Sequence, residues 1–250
     1  MPVNTNTSLK KSFDLDGFIF IPGFLNHEEI KAVKAKLDDL IYNGLSKIAP
    51  HHIFYEDKND PNTLKQLQDL QDYDPFFAAM LTNSKFENMA ETLLGEKAIG
   101  KTIEYFNKPS KIGRPTPPHQ DNFYFMLNPP QALTMWLGLE DVDEENGCVR
   151  YIRGSHLLGI RAHGKTQTSG FSQAIADYGE KESKENEILF HTGPGDLLIH
   201  HSMTIHRADG NTSKNRTRKA LGFIYFGESA KEDAERKKAY QQSLLIDIVK

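Results

Sequence analysis

The sequence holds a single cysteine, Cys148, so no disulfide can form within the chain, and a disulfide-stapled secreted scaffold is excluded. No apolar run approaches the ~20 residues that a membrane helix needs. The first eleven residues, Met1 to Lys11, are polar and lack the apolar stretch of a secretory signal. An excess of basic charge is missing as well. The formal net charge is −4 and the densest basic run is the short Arg216-Thr217-Arg218-Lys219, so nothing marks a nucleic-acid partner. Internal repeats and low-complexity tracts are absent. These absences point to a cytoplasmic protein in a reducing compartment, with no membrane and no nucleic acid as partner. What remains is ordinary globular material. Hydrophobic residues make up 38% and charged residues 26% of 250 positions, which excludes a disordered chain and suffices for one domain over residues 1–250.

Residues 1–12 read as a loose tail. Phe18-Ile19-Phe20-Ile21 reads as a strand, set off by a turn at Asp16-Gly17 and closed by Pro22-Gly23. A helix follows with full punctuation: Asn26 at the cap, Glu29 three residues on, and Leu25 and Ile30 at the staple positions. Ile30, Val33, Leu37, Leu40 and Ile41 give it one apolar face, the signature of core packing. Residues 44–74 show no clear pattern. A second helical stretch is predicted from about Asp74 to Leu94, broken near Asn83 and stopped by Gly95.

Past Gly95 the period changes to two. Leu133, Met135, Leu137 and Leu139 alternate with Thr134, Trp136 and Gly138. Cys148–Ile152, Asp196–His201 and Lys219–Phe226 are further strands, with Asn146-Gly147 as a turn. Residues 161–190 are polar and charged, and read as a long insertion forming a lid. Lys231 to Lys250 reads as one amphipathic helix, with Tyr240, Leu244, Leu245, Ile248 and Val249 on one side. Helices first and strands later predict an α+β domain with a mainly β core.

Three features carry chemistry together. In Pro117-Pro118-His119-Gln120-Asp121, an extended backbone would send His119 and Asp121 to one side and Gln120 to the other. Three histidines then compete as a distal partner: His200, His201 and His206, the last lying 85 residues past Asp121. Two imidazoles and one carboxylate form the facial triad of non-haem Fe(II) oxygenases, which leaves positions open for a chelating cosubstrate and O2. Finally, Arg218 lies twelve residues past His206 on the next strand, where its guanidinium fork suits a carboxylate.

The sequence resembles the phytanoyl-CoA dioxygenase family of 2-oxoglutarate-dependent oxygenases over most of its length. Asp16-Gly17-Phe18 with Pro22-Gly23-Phe24-Leu25 resembles the family's opening strand, and Pro118-His119-Gln120-Asp121 its proximal iron motif. Trp136-Leu137-Gly138-Leu139-Glu140-Asp141, Glu145-Asn146-Gly147-Cys148 and Gly154-Ser155-His156 resemble its central segment. Gly195-Asp196 with His201, His206, Asn211, Ser213 and Arg218 resembles its distal segment. The resemblance implies a double-stranded β-helix (jelly-roll, cupin-like) core with flanking N-terminal helices and a C-terminal helix. It implies iron on His119, Asp121 and His206, and 2-oxoglutarate held by Arg218 and touched by Trp136. It also implies O2-dependent hydroxylation of a C–H bond, with Asp121 filling the position that a halogenating relative leaves to chloride.

One departure stands out. The family places its oxoglutarate arginine eleven residues after the distal histidine, where this chain has Thr217. Arg218 is preferred on its following Lys219-Ala220-Leu221, and Arg216, two residues away, is the alternative. His156 is read mainly as a turn residue, Cys148 as a small buried hydrophobe, and Asn122 and Phe123 as pocket lining or strand continuation. Lys108, Lys111 and Arg114 stand ready for an anionic small-molecule substrate or form a solvated loop. Two rival classes remain: a jelly-roll hydrolase or isomerase without oxoglutarate, and a non-catalytic binding or sensor relative.

Overall fold

In the computed structural model, which describes residues 5–168, 171–179 and 184–240, two antiparallel sheets face each other. The larger holds seven strands, in the spatial order Phe18–Ile21, Leu197–His201, Ala132–Gly138, Arg218–Gly227, Ala98–Lys108, Leu64–Leu67 and Ile53–Tyr55. The smaller holds four: Glu187–Phe190, Val149–Ile152, His206–Ala208 and Thr116–His119. Adjacent strands come from distant parts of the chain, the double-stranded β-helix arrangement the sequence led us to expect.

The period-two pattern decides what each face meets. On Ala132–Gly138, Leu133, Met135 and Leu137 point outward into the main core, where the helices His27–Asp39, Pro75–Leu81 and Lys85–Leu94 cover the large sheet. Each such leucine, fully buried, contributes roughly 2 kcal/mol of transfer free energy. The other face points between the sheets, where Phe18, Trp136, Cys148, Tyr151 and Leu198 pack together. Cys148 is indeed a buried hydrophobe, its thiol pushed up by burial. Because the helices seal the outer face, the inner face is free to carry the site.

Local punctuation behaves as its chemistry demands. Asn26 accepts from the backbone N–H of Glu28 and Glu29 at 3.0 Å, and Glu29 returns a bond to the Asn26 N–H at 2.8 Å. Asn83 breaks the next helical stretch at φ 51°, and Gly95 ends it at φ 74°. At Gly17 (φ 83°) an added Cβ would stand 2.5 Å from His156 Nδ1 and 2.6 Å from Thr204 Oγ1, so only glycine fits this turn.

Three expectations need correction. The first concerns residues 1–12: a helix spans Thr5–Asp16, docked by buried Phe13 and by Lys10, whose ammonium donates to the Leu93 carbonyl at 3.1 Å. Next, residues 161–190, read as one long polar insertion, include regular structure. They hold a hairpin, His163–Thr168 with Phe171–Ile175, and the strand Glu187–Phe190, which pairs with Val149–Ile152 as part of the small sheet. The last is the tail, which starts as a short strand, Lys231–Glu232, paired with Leu127–Asn128, before residues 234–240 turn helical. Its apolar positions Leu244, Leu245, Ile248 and Val249 lie outside the described residues.

Candidate metal centre and its cavity

Strand register builds the centre. His206 pairs directly with His119 across the small sheet, which brings the two imidazoles to 4.1 Å between ring centroids. Asp121 reaches the same point by a different route from the one expected. The strand ends at His119, and Asp121 has helical backbone (φ −58°, ψ −35°) at the start of a short turn of helix, Asn122–Phe125. The proline-rich run stays extended only as far as His119, and the next turn swings the carboxylate back over the imidazoles. Gln120 does face away. Fully buried, it donates to the carbonyls of Gly159 and Met203 and accepts from the Arg161 N–H, which locks the motif in place.

His119, Asp121 and His206 each offer one ligand atom, all within 4.8 Å of one another. His119 Nε2 and His206 Nε2 lie 3.4 and 3.5 Å from Asp121 Oδ1. Neighbouring ligands on an ion at ~2.1 Å stand ~3 Å apart, so these spacings suit a single metal. The tautomers suit it too. His119 Nδ1 is 2.8 Å from the Pro117 carbonyl, and His206 Nδ1 is 3.0 Å from that of Thr204. A carbonyl only accepts, so both Nδ1 atoms carry the proton and both Nε2 lone pairs face the centre. Burial, with His200 and His119 nearby, holds His206 well below the usual histidine range, so its imidazole is neutral.

Asp121 is prepared by residues that sequence reasoning did not assign. Thr134 donates to Oδ2 at 2.6 Å, and His200 Nε2 lies 3.1 Å from the same oxygen. The other nitrogen of His200 meets the Tyr151 hydroxyl at 3.1 Å. Burial pushes the Asp121 carboxyl up, but the surrounding imidazoles of His206, His119 and His200 prevail and hold it well below the usual carboxylate range. With Oδ2 saturated, Oδ1 is left for a metal. Thr134 was visible as an inward position of the alternating strand, two residues from Trp136. His200 had been weighed only as a rival ligand. His201 lies elsewhere, beside Phe13 and His156. His156 bonds the Asp14 carbonyl at 3.1 Å and shapes the Gly17 turn.

The centre opens into a cavity of about 320 Å³ between the sheets. Arg218 and Trp136 line it, with the guanidinium carbon 5.4 Å from the Trp136 ring centroid. Arg218 is 4% exposed, and its Nε has no hydrogen-bond partner. Burial lowers its pKa to about 10, which still leaves it cationic at neutral pH. Arg216 does not share this cavity. It precedes the strand and grips the Asp143 carboxylate with two bonds of 2.9 Å and Glu145 with another. The two arginines therefore do not face the same side. Of the three cations before the metal motif, Lys108 and Arg114 line the cavity and Lys111 does not. Asn122 is structural, bonding Leu127 through its amide, while Phe123 stacks on His163 at 4.1 Å. The neighbouring Tyr124 and Phe125, unassigned from sequence, line the cavity.

Two imidazoles and a carboxylate, each oriented by a second partner, match the donor set of non-haem iron. A buried guanidinium with an orphaned N–H matches a carboxylate ligand nearby. The comparisons agree. The family model described as Phytanoyl-CoA dioxygenase (PhyH) matches residues 13–220. "Phytanoyl-CoA dioxygenase 1" of Oryza sativa subsp. japonica is 26% identical over 235 residues, covering 80% of this chain and 82% of that protein. A "Probable alpha-ketoglutarate-dependent hypophosphite dioxygenase" of Stutzerimonas stutzeri is 25% identical over 222 residues, covering 86% and 75%. Among solved structures, the epimerase SnoN in complex with Fe3+, alpha ketoglutarate and nogalamycin RO superposes with a TM-score of 0.71 at 23% identity, covering 90% of this chain and 85% of that one. Among the described residues no helix is long and apolar enough to cross a membrane.

Proposed function

The chain belongs to the phytanoyl-CoA dioxygenase family and is an iron- and 2-oxoglutarate-dependent oxygenase, and we propose that it hydroxylates a C–H bond of a small molecule at a centre formed by His119, Asp121 and His206. The observation that carries the reading is the convergence of three ligand atoms in one cavity with the unpartnered cation of Arg218. His119 and His206 would hold Fe(II) through Nε2 and Asp121 through Oδ1. Iron held there with 2-oxoglutarate would supply the activation of O2, the cosubstrate being oxidatively decarboxylated to succinate and CO2.

The protein's own residues orient and exclude. Arg218 takes the far carboxylate of 2-oxoglutarate, a charge-assisted contact inside the cavity. Trp136 braces the guanidinium from the side and limits where the cosubstrate can lie. Thr134 and His200 occupy Oδ2 of Asp121, so the carboxylate binds through one oxygen and the ligand set stays at three protein atoms. Tyr124, edge-on to His119 at 6.0 Å, walls the substrate side. We read residues 1–250 as one oxygenase domain, with residues 161–190 as its lid. Tyr124 donates to the Gln173 carbonyl at 2.6 Å and Phe123 stacks on His163, so the hairpin sits beside the metal motif. A cytoplasmic setting fits the single buried thiol.

The test is anaerobic. Adding 2-oxoglutarate to the Fe(II) protein should raise a visible charge-transfer band, and substrate plus O2 should then release succinate. A jelly-roll hydrolase or isomerase gives no such band. A non-catalytic relative gives the band with no succinate from any substrate. Either outcome would remove the oxygenase reading.

A further inference from the structure

The cavity contains one acid that no cation answers. Glu104 lies on the inward face of the Ala98–Lys108 strand and lines the cavity. Its Oε2 accepts from the Gln66 amide at 2.8 Å, and among the described residues no ion pair reaches it. None of the cavity's cations forms an ion pair with it. Lys65 and Arg114 lie 3.7 and 3.8 Å from the carboxylate of Glu56. Arg207 is held by Glu187 and Asp209. Lys108 and Arg218 pair in register at one end of their strands, while Glu104 pairs with Gly222, four residues further on. At ~3.3 Å per residue the backbones are ~13 Å apart along the strand, and no ion pair joins Glu104 to the oxoglutarate arginine.

The surroundings of Glu104 suit a positive ligand. Opposite it, Gly222 presents no side chain, and the Phe106 ring lies so close that a Cβ on Gly222 would stand 2.8 Å from it. A carboxylate with an aromatic ring alongside is a favourable setting for an organic cation. With the cosubstrate's far carboxylate on Arg218 and the metal on Asp121, Glu104 is the cavity-lining acid that no cation or metal reaches among the described residues. Burial without a cation raises its pKa to about 7, a penalty that a bound ammonium would remove.

We propose that Glu104 is the substrate anchor of this enzyme and that the substrate is an organic cation, a protonated amine whose nitrogen docks between Glu104 and the Phe106 ring while a C–H bond elsewhere in the molecule faces the metal centre. The inference rests on the oxygenase reading above and refines it. It also replaces the anionic substrate suggested by the basic residues before the metal motif, because in the folded chain Lys108 donates to the Arg114 carbonyl and to Thr116, and Arg114 lies against Glu56.

The experiment uses anaerobic protein loaded with Fe(II) and 2-oxoglutarate, so the charge-transfer band first reports whether the oxygenase reading holds. If the wild type shows no band, that reading fails before Glu104 is tested. With the band present, n-hexylammonium, n-hexanol and n-hexanoate are titrated by calorimetry into the wild type, Glu104→Gln and Glu104→Asp. The ammonium should bind the wild type best, roughly thirtyfold or more above the alcohol, as for a part-buried charge pair. Glu104→Gln should abolish that preference with the band unchanged, and Glu104→Asp should keep part of it, which separates charge from folding. Equal binding of the three probes to the wild type, or an undiminished ammonium preference in Glu104→Gln, overturns the proposal.

Discussion

The half-buried, desolvated carboxyl of Glu104 makes a quantitative demand on stability. Its pKa rises from 4.5 to about 7 on folding, chiefly through desolvation. A raised acid favours the protonated folded form, so the sign is fixed. Below pH 4.5 both states carry the proton and no penalty exists. Between pH 4.5 and 7 the unfolded chain ionises first and stability falls. Above pH 7 the full cost is present. The rise from 4.5 to about 7, at ~1.36 kcal/mol for each tenfold change in proton affinity, amounts to about 3 kcal/mol. Glu104→Gln keeps the shape and can still accept from Gln66, but it has no proton to lose. In metal-free protein the variant should match the wild type near pH 4.5 and exceed it by about 3 kcal/mol at pH 8. With a urea m-value of ~3 kcal/mol/M for a chain of this size, the midpoint should move by about 1 M at pH 8 and hardly at all at pH 4.5. Urea curves at five pH values measure it. A difference between variant and wild type that stays constant with pH would refute the reasoning, because it would mean that the Glu104 carboxyl is hydrated or paired in the folded protein.

The metal centre gives the next expectations. His119→Ala, Asp121→Ala and His206→Ala should each abolish tight Fe(II) binding by calorimetry, whereas His201→Ala should leave it nearly intact; the reverse pattern for His201 and His206 would end the assignment. Arg218→Met should raise the oxoglutarate concentration needed for the band by about thirtyfold or more, equivalent to ~2 kcal/mol or above for a lost buried charge pair, with iron still bound. Arg216→Met, which removes an outward grip on Asp143 and Glu145, should change it little, and a larger effect there than at Arg218 would move the role. Protease nicking between residues 161 and 190 should slow when iron, oxoglutarate and substrate are bound together, and equal rates with and without ligands would leave the segment a plain surface element. With Asp121 as a ligand, product should gain one atom from labelled O2 and no chlorine at high chloride, and a chlorinated product would exclude Asp121 from the metal.

How much of this was legible in the sequence depended on whether a residue's role is set by local or distant neighbours. The capping box at Asn26 and Glu29, the break at Asn83 and the stop at Gly95 are decided within four residues, and each stands where expected. The strand Ala132–Gly138 was readable because one face is apolar and the other is not. The hairpin of His163–Thr168 and Phe171–Ile175 was not, since its composition resembles a loop. The helix Thr5–Asp16 was missed for a related reason: a single deeply buried side chain, Phe13, anchors a mostly polar segment, and no periodic stripe announces it.

The site divides along the same line. His119, Asp121 and His206 were found through residue type and spacing, although the backbone that unites them is not the uniform strand that spacing alone suggests. The two arginines show what spacing cannot decide. Two apart on a regular strand they would share a side, but Arg216 lies before the strand begins, and Asp143 and Glu145 draw it outward, while Arg218 enters the sheet and is buried. Glu104 is the extreme case. In sequence it is a glutamate in a mixed segment, Ile103-Glu104-Tyr105, with nothing to distinguish it from a solvated charge. Only the pairing of its strand with Arg218–Gly227 and Leu64–Leu67 places that carboxylate in the cavity beside Gln66, opposite a glycine and four register positions from the Lys108–Arg218 pair. Residue type and spacing point to the metal ligands in the sequence, whereas the place of Glu104 is set by cross-strand neighbours that the sequence does not display.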